Sequence, residues 1–265
     1  MSGSDGGAIW LIGCGHMAGA MLSRWLATGL DPKRVTVVRP SGNPVADGVR
    51  VLTTVPDEPP PQIMLLGFKP HQLADVAASL SNASLNATIV SILAGTDAAT
   101  LQRHFPRARS VVRVLPNLPV AIGKGVVALH GQHDAAIETL MTPLGLVEWI
   151  ANEGDFDAVT ALAGSGPAFL YRFIDALAQA GAATGLPADQ AQRLALATVE
   201  GAALLAAASN VSPADLAERV ASKGGSTRKG LDVLDADHAL VGLLTDTLAA
   251  ATARNTEMGA ANRAG

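Results

Sequence analysis

Ala8-Ile9-Trp10-Leu11-Ile12-Gly13-Cys14-Gly15-His16-Met17-Ala18 decides how the rest of the chain is read. A short apolar run that ends in glycine reads as a buried strand. Met17 to Thr28, stopped by Gly29, has a helical pattern. The connection is G-x-G-x-x-A. Its first glycine permits a tight turn, its second lets a pyrophosphate approach the backbone, and the small third residue lets helix and strand pack closely. The start of the helix adds N–H donors and a partial positive charge. Alone this motif is weak. Between a strand and a helix it has the context that marks a dinucleotide site. Gly13, Cys14, Gly15, His16 and Met17 are therefore candidate cofactor contacts. Cys14 and His16 read as loop residues, since neither has a catalytic partner nearby in sequence.

The alternation continues. Val35–Val38, Ile63–Gly67, Thr88–Ile92, Ser110–Leu115 and Gly125–Leu129 read as further strands, with a helix from after Ile92 to about Arg103. Strands alternating with helices imply a parallel sheet covered on both faces. After about Asn152 the character changes. Ser165 reads as an N-cap and Pro167 as a first-turn residue. Leu170, Phe173, Ile174 and Leu177 then share one helix face. Gly185-Leu186-Pro187 ends that helix and starts the next, Ser212-Pro213-Ala214-Asp215 begins another, and Thr245 to Arg263 reads as the last. The fold class is α/β: a dinucleotide-binding domain over 1–152 and an all-helical domain over 153–265. The alanine and leucine surplus of the helices implies burial against a second subunit, or else a tight small-residue core.

Composition narrows the function. The chain has 265 residues, is 49% hydrophobic and 3% aromatic, and carries a net charge of −4. Nucleic-acid binding needs a basic face or stacking aromatics, and neither is evident. No apolar run is long enough to span a membrane. The start, Met1 to Gly7, reads as disordered and lacks the pattern of a signal peptide. A single cysteine fits a reducing cytoplasm. His104, His130, His133 and His238 lack metal-ligand spacing, so no metal is expected.

Two loops carry the chemistry. After the second strand comes Val38-Arg39-Pro40-Ser41-Gly42. An acid there would bind the ribose hydroxyls of NAD. Its absence, with Arg39 and Ser41 in place, favours the 2′-phosphate of NADP. Near the other end, Ser222-Lys223-Gly224-Gly225-Ser226-Thr227 sets two glycines between hydroxyl residues. It is either a plain interhelical turn or a cradle of amides and hydroxyls for an anion such as a small carboxylate.

Seven segments, in order, resemble the pyrroline-5-carboxylate reductase family. They are Gly13–Ala20, Phe68-Lys69-Pro70, Ser91–Gly95, Arg113–Pro119, Gly164–Phe169, Gly181–Pro187 and Ser222–Thr227. The resemblance implies a Rossmann-type domain followed by a helical dimerisation and substrate domain. It implies hydride transfer from NADPH, with NADH as the lesser cofactor, to the C=N carbon of the cyclic imine 1-pyrroline-5-carboxylate, giving proline. It adds Phe68, Lys69, Pro70, Ala94 and Asn117 to the cofactor contacts. Ser222, Gly224, Gly225 and Ser226 would hold the substrate carboxylate, and Thr227 would meet the ring nitrogen as the candidate catalytic residue. The helical halves of two subunits would pair, giving a homodimer or higher homo-oligomer. Leu118, Lys223 and Ser226 depart from the family pattern, which has threonine, proline, and threonine or alanine there. Rival readings are a related NADP reductase of another cyclic imine carboxylate or small hydroxy acid, and a non-catalytic nucleotide-sensing protein.

Overall fold

The computed structural model describes residues 7–264, with side chains through residue 260. The expectation of a disordered start falls mainly on residues 1–6, outside the described residues. By packing the chain forms two units. One comprises the residues up to Ser165 together with those from Ala251 onward, the other Gly166–Ala250.

The first unit is built on eight strands: β1 Ile9–Ile12, β2 Val35–Val38, β3 Arg50–Leu52, β4 Ile63–Leu66, β5 Thr88–Ser91, β6 Ser110–Pro116, β7 Gly125–Gly131 and β8 Gly145–Trp149. Their order is β3-β2-β1-β4-β5-β6-β7-β8. The chain leaves β1 toward one edge and returns to β4 on its other side. This is the strand-order reversal outside which α/β sheets bind ligands. Alternate strand residues feed two cores. Ile9, Leu11, Val35, Val37, Ile63 and Leu65 pack with helix α1, His16–Ala27, through Met21, Leu22 and Trp25. Trp10, Ile12, Val38, Met64 and Leu66 pack on the other face. There they meet helices α2, Leu73–Ser79, and α3, Ala98–His104, through Leu73, Ala77 and Leu101. Burial on both faces explains why these strands read as continuous apolar runs. Helix α4, Ala135–Met141, joins the first core through Ile137 and Met141.

Two expectations need correction. The sheet is not wholly parallel, because β6 and β7 pair antiparallel. The segment from Asn117 to Lys124 is shorter than the crossover of about a dozen residues that parallel pairing needs. It turns back through left-handed Gly123, at φ +69°. Nor is Ser165 an N-cap. Helix α5, Phe156–Val159, runs into a π-helical turn over Thr160–Gly164, and Ser165 itself has helical angles. Its N–H reaches five residues back to the Thr160 carbonyl at 2.9 Å, so the chain before α6, Gly166–Ala183, is already helical.

The second unit continues with α7 Ala188–Ala207, α8 Pro213–Val220 and α9 Ser226–Asp235. Helix α10, Ala239–Ala264, starts in this unit and ends in the first. Ser212 caps α8 as expected, its hydroxyl accepting the Asp215 N–H at 3.1 Å. Helix α10 begins six residues before the expected Thr245, directly after Asp237 and His238 at positive φ. Ala191 and Ala195 are buried in α7, but Leu170, Phe173 and Leu177 on the predicted α6 face remain 39–47% exposed.

Strands β3 and β8 escape the sequence reading. The first has three residues and begins with an arginine. The second alternates, with Val147 and Trp149 packed inward and Leu146 60% exposed. It depends on Gly145, whose φ of 140° and ψ of −140° suit only glycine. A Cβ there would lie 2.0 Å from the Gly125 carbonyl oxygen of β7. Gly145→Ala is expected to cost on the order of 3 kcal/mol or more, read as a lower urea midpoint. An unchanged midpoint would refute the packing of β8.

Candidate functional site

Gly13 ends β1 with φ +81°, and a Cβ on it would sit 2.8 Å from the Gly67 carbonyl oxygen at the end of β4. Gly67 is as confined: its Cβ would meet Gly13 O at 3.0 Å and Ala18 Cβ at 3.1 Å. The three small residues thus set the approach of α1 to the sheet. Gly15, in contrast, has nothing within 4 Å of where a Cβ would be and N-caps α1 without any side-chain cap. The first N–H groups of α1 therefore face outward without intrahelical partners, as an anion receptor requires.

Around this turn lies an open cleft of about 630 Å³, lined by Cys14, Gly15, His16, Arg39, Pro44, Lys69 and neighbours. Two cations and no carboxylate line it, which suits a ligand rich in phosphate. Cys14 is half-buried. Burial pushes its thiol pKa up, and Arg39 opposes this with a smaller downward pull. The thiol therefore stays protonated at neutral pH and is no ready nucleophile. Ser41 is exposed, beside this cleft in sequence but outside its lining; its Oγ accepts the Asn43 N–H at 3.4 Å. Phe68 packs on the second core.

A second cleft, also about 630 Å³, lies at the carboxyl ends of β5 and β6. Met17, Pro70 and Ala94, named above as candidate cofactor contacts, are among its lining residues. Arg113, Phe156, Asp157, Asn255 and Met258 line it too, and sequence reasoning gave none of them a role. Arg113 came within a quoted motif, so a signal existed. Asn255 and Met258 lie far away in the chain and gave none. The Arg113 guanidinium stands 4.5 Å over the Phe156 ring and pairs with Glu153 Oε1 at 2.6 Å. That oxygen also accepts the Ala98 N–H at 2.7 Å, at the start of α3. One carboxylate thus fastens β6 and α3 together beside the cleft.

Asn117 stands apart from this group. It is buried, lines neither cleft, and its side chain is engaged at both ends. Its Nδ2 donates to the Ala163 carbonyl at 2.9 Å, and its Oδ1 accepts the Val126 N–H at 2.8 Å. The carboxamide of Asn117, a candidate cofactor contact, serves here as a strut between β7 and the π-helical turn.

The glycine loop belongs to the other unit, between α8 and α9. Gly224 has φ +76° and nothing within 4 Å of a Cβ position. The Gly225 N–H, expected among the carboxylate donors, is occupied: it donates to the Ser222 carbonyl at 3.0 Å and closes the turn. The Ser222 hydroxyl lies beneath, 2.7 Å from where a Gly225 Cβ would be. Gly225 is the N-cap of α9 and supplies no side-chain cap. Donors for an anion are then the amides of Ser226, Thr227 and Arg228, the first three residues of the helix. Ser222, Ser226 and Thr227 are exposed. Arg228 is paired with Glu218.

Among the described residues no group of three or more His, Cys, Asp or Glu could hold a metal ion, and no helix is long and apolar enough to cross a membrane. A family model described as pyrroline-5-carboxylate reductase dimerisation matches residues 153–258. Another, described as NADP oxidoreductase coenzyme F420-dependent, matches residues 8–95. The chain is 34% identical to a pyrroline-5-carboxylate reductase of Pisum sativum, over 96% of this chain and 97% of that one. Among solved structures it resembles a pyrroline-5-carboxylate reductase from Coxiella burnetii, with TM-score 0.86, 28% identity and coverage of 96% and 98%. A Plasmodium falciparum pyrroline carboxylate reductase with NADP bound shares the fold, with TM-score 0.82, 22% identity and coverage of 97% and 100%.

Proposed function

The chain belongs to the pyrroline-5-carboxylate reductase family, and on that premise we propose that it reduces 1-pyrroline-5-carboxylate to L-proline with NADPH. The observation that supports this reading is that one chain carries two glycine turns that open helices without side-chain caps and suit anions. A dinucleotide turn opens onto a cleft lined by Arg39 and Lys69, and a serine- and glycine-built turn opens α9. A non-catalytic nucleotide sensor would have no use for the second.

The reduced nicotinamide supplies the hydride, and the protein's task is to orient and hold charge. Gly13, Cys14, Gly15, His16 and Met17 present the α1 amides to the pyrophosphate. Arg39 with Ser41, helped by Lys69, holds the 2′-phosphate, which favours NADPH over NADH. Phe68, Pro70 and Ala94 flank the path toward the nicotinamide. The substrate carboxylate is held by the Ser226 and Thr227 amides, on a turn shaped by Ser222, Gly224 and Gly225. The Thr227 hydroxyl orients the ring nitrogen and relays a proton from water. An iminium that arrives protonated needs no stronger acid.

The working form is a homodimer, or an assembly of dimers, joined through the helical unit. Among its described residues Leu205, Val233 and Val241 are 67%, 72% and 64% exposed, apolar side chains that pairing with a second copy would cover. The cytoplasm is the proposed compartment, in keeping with a lone cysteine.

Oxidation of NADPH on addition of 1-pyrroline-5-carboxylate, compared with piperideine carboxylates and small 2-keto acids, tests the reaction. No turnover of the first substrate would overturn it. Thr227→Ala should lower kcat about tenfold or more, the size of a lost transition-state hydrogen bond; unchanged kinetics would remove Thr227 from the reaction. Arg39→Ala should raise KM for NADPH much more than for NADH, whereas an equal rise would argue against a phosphate contact. Sedimentation velocity should find no active monomer.

A further inference from the structure

We infer that the last turns of α10 are a positioning element for hydride transfer, latched in place by Asp157. The inference rests on reading the cleft at the ends of β5 and β6 as the nicotinamide end of the reductase site. Asn255 and Met258 of α10 line that cleft, and these turns pack with the sheet unit even though the helix begins in the other. Two side-chain bonds hold them. The Asn255 Nδ2 donates to the Asp157 carbonyl at 3.0 Å, and the Thr256 hydroxyl donates to Asp157 Oδ2 at 2.7 Å.

Asp157 is a firm anchor. It follows Phe156, which is 3% exposed and lies under the Arg113 guanidinium. Helix α5 is thereby fixed to β6, and the α10 end is fixed to α5. Around the Gly13–Ala18 turn the first cleft has no residue from α10. The two clefts thus differ in what they depend on. On the proposed reading, grip on the phosphates comes from the Gly13–Met17 turn, Arg39, Ser41 and Lys69, none of them on α10. The shape of the second cleft depends also on a latch about a hundred residues away in sequence. A small displacement of a cleft wall changes the reacting distance, and rate is far more sensitive to that distance than binding is. Met258, unbranched and 42% exposed, is the kind of side chain that adapts to a flat ring.

The test uses the full-length protein. Asn255→Ala with Thr256→Val removes both bonds, Thr256→Ser keeps the hydroxyl, and Met258→Ala shortens the wall while sparing the latch. For each, kcat with 1-pyrroline-5-carboxylate, the NADPH Kd by fluorescence, and the isotope effect with NADPH deuterated at the transferred position are measured. The double variant should lose about tenfold in kcat, keep its NADPH Kd within about twofold, and show a larger isotope effect. Thr256→Ser should behave as wild type, and Met258→Ala should fall between. Variants that turn over like wild type would overturn the inference, as would a parallel loss of kcat and NADPH affinity. If the double variant does not fold, Thr256→Val against Thr256→Ser carries the same comparison. A wild-type protein that turns over no pyrroline-5-carboxylate would instead sink the underlying reading.

Discussion

The close approach of Gly13 to Gly67 is the constraint from which the rest of the sheet unit follows. These residues end β1 and β4, the two strands between which the order reverses. Each has room for a hydrogen and no more, because the carbonyl of the other stands 2.8–3.0 Å from where a Cβ would be. Their amides are also engaged: Gly13 N–H bonds Val38 O and Gly67 N–H bonds Ile12 O, both at 2.8 Å. Ala18 fills the remaining space, so α1 meets the sheet at a fixed height. That height places the unpaired N–H groups of α1 at the mouth of the crevice. It also aligns Arg39 and Lys69, which leave the ends of β2 and β4, on one cleft. A larger residue at any of the three positions would move the helix and dissolve the receptor before touching a ligand.

What was legible in the sequence shares one property: its cause is local. The glycine turn, the buried strands and the Ser212 cap each depend on a few neighbouring residues, and each is found where the residues imply it. What was not legible depends on partners distant in the chain. Ser165 looks like a cap because serine before glycine and proline usually is one. Only the π-helical turn before it, held to β7 through Asn117, makes it an interior residue. Asn117 itself has the chemistry of a ligand contact, and nothing nearby reveals that Ala163 and Val126 already use its carboxamide. The Arg113–Glu153 pair spans 40 residues and the Asp157 latch about 100, beyond any periodicity.

The two units also differ in how they are stabilised. In the sheet unit strands and helices supply each other with buried faces, and large side chains such as Trp25 and Phe105 are almost wholly enclosed. In the helical unit the buried residues within the helices are alanines, among those described, while leucines such as Leu196, Leu204 and Leu205 lie open. Gly181 and Ala191 bring α6 and α7 close, with 3.4 Å from a Cβ position to the alanine methyl, but a contact between small residues buries little area. At about 25 cal/mol per Å² of apolar surface, such a pair cannot offset the entropy of ordering its helices. On the dimeric form proposed above, these leucines would stabilise the unit through assembly, and stability and oligomeric state would be a single property.

The glycine loop shows why a departure from the family pattern need not disturb the chemistry. The Gly225 N–H to Ser222 carbonyl bond and the positive φ of Gly224 give Ser222–Gly225 the pattern of a type II turn. Such a turn needs glycine at its third position and merely favours proline at its second. Lys223 occupies the second. Replacing proline there removes rigidity from the unfolded chain while the hydrogen-bonded path of the turn stays the same. The amides of Ser226 and Thr227 are set by the helix that follows, not by residue 223. The substitution therefore leaves the donors in place and adds an exposed ammonium at the rim. On the carboxylate role proposed for this loop, the effect of Lys223 would be electrostatic and strongest at low salt, separate from the path of the turn itself.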